Sequence, residues 1–83
     1  MYLHIGEDTL VRTKEIIAII DKESANFSTI IDEFLTHREH EVVNLSKKKY
    51  KSIVFTENQI YYSPLAAGTL KKRSRKLSIH EFF

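Results

Sequence analysis

Glu15-Ile16-Ile17-Ala18-Ile19-Ile20-Asp21 is the stretch that decides the fold of this 83-residue chain. Five consecutive apolar residues between charged ends are too short for a typical helix and lack the alternation of a half-exposed strand. They read as a strand covered on both faces, with Ile17 and Ile19 both in the core. A helix of the same chain covers one face. So short a chain buries only about two-thirds of the surface its unfolded form exposes, so a neighbouring subunit is expected to cover the other.

Upstream, residues 1–5 alternate as a strand, Gly6-Glu7-Asp8 reads as a turn, and Leu10 to Thr13 resume extended structure, which predicts a hairpin. Downstream, Ser28 is a helix N-cap, and Asp32 and Glu33 oppose the positive end of the helix dipole. Phe27, Ile30, Ile31, Phe34 and Leu35 form one apolar stripe expected to pack on a sheet, and the helix fades near Arg38 to His40. Three short strands follow: Val42 to Leu45, Ser52 to Thr56 and Gln59 to Tyr62. The first two are joined by a lysine loop and the last two by a tight turn at Glu57-Asn58. A final helix opens at Ser63-Pro64 or nearer Thr69, with Ala67, Leu70, Ser74 and Leu77 on one arc and Lys71, Lys72, Arg75 and Lys76 on another. The expected fold is a single α+β domain over residues 1–83, with a small, mainly antiparallel sheet, one packed helix and a C-terminal basic helix, in an oligomer.

Composition narrows the function. The chain has no Cys, so a disulfide scaffold, a thiolate metal cluster and a Cys nucleophile are excluded. Nowhere do about 18 apolar residues run together, and the N-terminus lacks a basic region followed by an apolar one, so a cytoplasmic location is expected. His37-Arg38-Glu39-His40 lacks the spacing of a helical zinc pair and reads as solvated polar residues. Asp32 and Glu33, adjacent on a helix, diverge and form no acid/base pair. Gly6 and Gly68 make no phosphate loop, and Tyr61-Tyr62 reads as one buried and one exposed strand residue. No catalytic constellation is left; no cofactor, metal, membrane or small-molecule substrate is expected.

Charge is the informative signal. Residues 1–41 carry a net −5 and residues 42–83 a net +7, against +2 for the whole. The basic residues gather in Lys47-Lys48-Lys49-Tyr50-Lys51 and Lys71-Lys72-Arg73-Ser74-Arg75-Lys76. A charge run is usually a solvated surface, and lysines also guard sheet edges. Two clusters on one small domain instead favour a polyanionic partner, bound through phosphates without base readout. A protein-interaction role for the basic face is the main alternative; single-stranded RNA and a membrane surface are further ones.

Tyr2-Leu3-His4-Ile5-Gly6, Lys51-Ser52-Ile53-Val54-Phe55, Ile60-Tyr61-Tyr62-Ser63-Pro64-Leu65 and Thr69-Leu70-Lys71-Lys72-Arg73, in this order, resemble the bacterial extracellular-matrix regulatory protein family, and within it the RemB-like branch. The resemblance implies a cytoplasmic DNA-binding regulator of biofilm matrix genes whose small β-rich subunits assemble into rings. It places paired basic residues of a strand-connecting loop at Lys48 and Lys49, and a further basic position at Lys51. Where the RemA branch has a DNA-contacting arginine, this sequence has Glu15, next to Lys14. Lysines give up the bidentate contacts of arginines, and Glu15 repels phosphate. Double-stranded DNA and further copies of the chain are the expected partners, with Lys48, Lys49 and Lys51 as primary contacts and Lys14, Lys71, Lys72 and Arg75 as secondary ones.

Overall fold

The computed structural model describes residues 1–46 and 49–77, the last two as backbone only. Its α+β architecture follows from one strand with two buried faces. Strand β5 (Ser52–Thr56) is buried at all five positions. It pairs antiparallel with β3 (Ile16–Asp21) on one side and with β6 (Ile60–Ser63) on the other. Strand β4 (Val42–Asn44) completes the sheet in the order β3-β5-β6-β4. It runs parallel to β6, Val42 facing Ile60 and Asn44 facing Tyr62. The sheet is therefore mixed. Strand β6 lies between β4 and β5, the two strands expected to be joined by the lysine loop.

Strand β1 (Tyr2–Gly6) and β2 (Thr9–Arg12) form a separate antiparallel hairpin. Glu7 and Asp8 take φ of 46° and 59°, so the two-residue turn has the left-handed pair that matches hairpin twist. Gly6 is required here. Its φ is 127°, and a Cβ would lie 2.7 Å from Pro64 Cδ.

Alternation along β5 sorts the core into two clusters. Val54 faces Leu3, Ile5 and Val11 of the hairpin, Ile19 of β3, and Ala67 and Leu70 of α3 (Ala67–Leu77). Ile53 and Phe55 face Ala25 of α1 (Lys22–Asn26), Ile31 and Leu35 of α2 (Thr29–His37), and Ile60. The same chain thus packs residues against both faces of β3, although only Ile19 of this strand is buried. The hairpin and α3 lie on the second face. Three layers result: α1 and α2, the sheet, and the hairpin with α3.

Two sequence expectations are corrected by local geometry. The β3–β5 register shifts between Ile16 and Ala18, so Ile17 is the extra residue of a bulge. Ile16 and Ala18, which strict alternation would put on one face, pack into opposite clusters. Ile17 is left 66% exposed rather than in the core, and Ile19 is 9% exposed. The α2 stripe also splits: Ile31 and Leu35 reach the sheet, while Phe27, Ile30 and Phe34 are 91%, 79% and 41% exposed. Phe27 precedes the helix, closing the five-residue α1, which the sequence reading did not resolve. The N-cap holds: Ser28 Oγ accepts from the Ile31 N–H at 3.2 Å.

The bulge makes a prediction. Ile19→Asp buries an unpaired carboxylate, which costs several kcal/mol out of a total stability of about 5–15 kcal/mol, and should abolish the cooperative thermal melt followed by circular dichroism. Ile17→Asp should keep that melt.

Candidate functional site

The cations of α3 stand clear because the other arc of the helix is consumed by packing. Ala67 and Leu70 are buried in the hairpin-side core, and Lys71, Lys72, Arg73 and Arg75 are exposed. Among the described residues, ion pairs are confined to Glu41 with Arg38 and His40, so none neutralises this helix. Lys71 and Arg75 line a groove of about 260 Å³ whose other wall is Ile16 to Ile19 of β3.

Lys14 sits two residues before that wall, in a 3₁₀ turn over Thr13–Glu15. Arg12 joins it, although sequence reading passed it over. Arg12 and Lys14 line a hollow of about 220 Å³ with Met1, Tyr2 and Thr13. The Arg12 guanidinium lies 5.9 Å above the Tyr2 ring. Its pKa is raised, first by a hydrogen bond to the Tyr2 side chain, then by the charges of Tyr2 and Glu15. The period-two placement of Arg12 at the exposed end of β2 was the available signal.

Lys49 and Lys51 are exposed at the other end of the sheet. The Lys51 backbone is fixed: its N–H donates to Ser63 O at 2.8 Å, and its carbonyl accepts from the Lys22 N–H at 3.1 Å. Lys48 lies outside the described residues. Strand β3 separates the Lys14 end from the Lys51 end by roughly 20 Å, so the candidates form two patches. Lys14, Lys71 and Arg75 neighbour one end of β3; Lys49 and Lys51 neighbour the other.

Two further features lie on the opposite side of the sheet. Ile17, Ile30 and Phe34 surround an apolar hollow of about 210 Å³, closed below by Phe55. A larger cavity of about 490 Å³ separates α2 from the rings of Tyr50 and Tyr62. Those rings stack with centroids 4.4 Å apart, and Lys22 Nζ lies 4.8 Å over Tyr50. Tyr61 and Tyr62 are both half-buried, because β6 is covered on both faces. Among the described residues no group of three or more His, Asp or Glu side chains converges to hold a metal. His40 instead faces Glu41 at 3.7 Å. No helix of the described residues is long and apolar enough to cross a membrane.

The sequence pattern of the RemA-like family, described as extracellular matrix regulatory protein A-like, matches residues 2–74. The chain is also 48% identical over 75 residues to extracellular matrix regulatory protein B of Bacillus subtilis (strain 168), which covers 90% of this chain and 91% of that protein. The chain belongs to the RemA-like family. The RemA-like match takes in the hairpin, the whole sheet and α3 as far as Ser74, and so includes Arg12, Lys14, Lys71 and Lys72 but stops short of Arg75. The family's description is that of regulatory proteins.

Tyr62 supplies a pH signature of this fold. Its pKa is raised above the usual value near 10, first by burial, then by the charges of Tyr50 and Asp32. Above that pH the unfolded chain releases the phenol proton while the folded chain retains it. The contribution is therefore intact below the ordinary pKa and lost as pH rises through 10 and beyond. Urea midpoints should fall less between about pH 9 and 11 for Tyr62→Phe than for the unaltered protein.

Proposed function

We propose that this RemA-like chain is a cytoplasmic DNA-binding transcriptional regulator of biofilm matrix genes that works as a ring-like homo-oligomer and holds duplex DNA through its phosphates. The observation that carries the reading is the row of exposed cations on α3, free of ion pairs among the described residues. Lys71, Lys72 and Arg75, with Arg12 and Lys14, supply one contact region; Lys48, Lys49 and Lys51 supply the other. A separation of roughly 20 Å corresponds to about six base-pair steps at 3.4 Å each. One subunit therefore touches phosphates at two places along the groove, and lysine-rich contacts of this kind read backbone charge rather than bases. The name of the Bacillus subtilis relative places that protein in extracellular matrix regulation, and the transfer to this chain rests on the 48% identity.

Ile17, Ile30 and Phe34 support the assembly. Three large exposed apolar side chains round one hollow form a patch that a neighbouring copy covers at little entropic expense, since β3 and α2 are already ordered. The same patch favours the second reading, a protein-interaction oligomer with weak or no DNA binding, in which Glu15 near Arg12 weakens the pull on phosphate.

Light scattering after size exclusion should give a mass above one chain at micromolar concentration, and Ile30→Asp should bring it down. A constant single-chain mass on dilution and concentration would remove the ring. For DNA, the logarithm of affinity should fall against the logarithm of salt with a slope of about −0.9 per phosphate contacted. Lys48→Glu with Lys49→Glu, and separately Lys71→Glu with Arg75→Glu, should each weaken binding to all duplexes alike and flatten that slope. Glu15→Arg should strengthen it. Failure of the unaltered protein to shift any duplex at low salt would leave the protein-interaction reading in its place.

A further inference from the structure

The cavity between α2 and the tyrosine pair is lined by carboxylates, opposite in sign to the lysines on either side of Tyr50. It encloses about 490 Å³, within the range of small-ligand sites. The floor is apolar, formed by buried Ala25 and Ile53 and half-buried Leu35. One wall is the α2 side, where Asp32 and Thr36 follow one another by a helical turn and Glu39 continues the row. Thr36 Oγ1 is committed to the Asp32 carbonyl at 2.9 Å, which leaves the carboxylate free of it. The opposite wall is the stacked Tyr50–Tyr62 pair. Among the described residues lining the cavity there are two carboxylates and no cation.

We propose that this cavity binds an alkylammonium group, its apolar body on Ile53 and Leu35, its charge beside Asp32 and against the face of Tyr62. Each part of the cavity selects one part of such a ligand. An anion is repelled by both carboxylates. A bare metal ion finds neither converging ligands nor use for the apolar floor. A neutral alkane loses the charge-assisted hydrogen bond to Asp32 and the attraction of the ring face. The fold already shows the second of these attractions in Lys22, whose ammonium lies over the outer ring of the pair at 4.8 Å. Near neutral pH the Tyr62 phenol is uncharged, so its ring meets a cation through its face. Phe27, 91% exposed at the rim, gives the ligand body a further apolar surface. The group comes either from a free amine or from a lysine side chain of another copy of the chain.

The test is a titration of the full chain with butylammonium, butanol and butyrate, read by amide chemical shifts in ¹H–¹⁵N spectra. Butylammonium should shift residues Ala25 to Asp32, Tyr50, Ile53 and Tyr62, with an affinity at least about tenfold above those of butanol and butyrate, the advantage of one charge-assisted hydrogen bond. Asp32→Asn, a change at an exposed position, should weaken butylammonium about tenfold and leave butanol unchanged. Light scattering at saturating butylammonium separates the two sources: an unchanged mass assigns the site to a free amine, and a falling mass assigns it to a lysine of a neighbouring copy. Equal binding of butanol and butylammonium, shifts confined to residues outside the cavity, or an Asp32→Asn variant that binds as before would each overturn the proposal. None of these outcomes depends on DNA binding.

Discussion

Strand β5 buries all five of its residues, Ser52 to Thr56, and the rest of the chain is arranged to satisfy that demand. A strand covered on both faces needs two layers of apolar partners, and one helix supplies only one. The second layer is the β1–β2 hairpin with α3, tied to the sheet by a serine. Ser63 Oγ donates to Ile5 O at 2.6 Å and accepts from the Leu65 N–H at 3.0 Å. Its cross-strand partner Ser52 donates to Leu65 O at 2.7 Å. Two hydroxyls that would otherwise be desolvated without partners thus fix where the hairpin and the α3 approach meet the sheet. The close packing of Gly6 on Pro64 sits at the same junction.

The bulge at Ile17 is the price of that arrangement. It lets Ile16 serve the hairpin-side core while Ala18 serves the α2 side, and it pushes one isoleucine outward. An apolar edge strand is an open template for further pairing, and bulges are one way to blunt it. Here the bulge turns a flat edge into an apolar patch with Ile30 and Phe34.

Much of this was legible in the sequence because the signals were local. Gly6-Glu7-Asp8 gave the hairpin, Ser28 the cap, Glu57-Asn58 the β5–β6 turn, and the arc through Ala67 and Leu70 the buried side of α3. What failed was non-local. The parallel pairing of β4 with β6 cannot be told from an antiparallel β4–β5 pair by alternation, since both put the same residues in the core. Ile17 looked identical to Ile19 because a bulge is decided by which cluster needs Ile16. Phe27, Ile30 and Phe34 obey helical spacing, yet a helix of nine residues on a narrow sheet only half-buries Ile31 and Leu35 and fully buries nothing. Of the site, the lysine clusters announced themselves, whereas the cavity joins residues from Ala25 to Tyr62 that share no motif.

The charge asymmetry along the chain takes on a spatial meaning through the layering. The acidic half contributes α1 and α2 to one face of the sheet, and the basic half contributes α3 to the other, while β3 and β5 bring the two halves together in a single sheet. Asp32, Glu33 and Glu39 therefore stand on the side away from Lys71, Lys72, Arg73 and Arg75. The shortest dimension of the molecule is 22 Å, against a screening length of about 8 Å at physiological salt. Charges on opposite faces are thus too far apart to cancel. A chain whose net charge is only +2 consequently carries a basic face and an acidic one, and sequence order, through the fold, keeps the two apart.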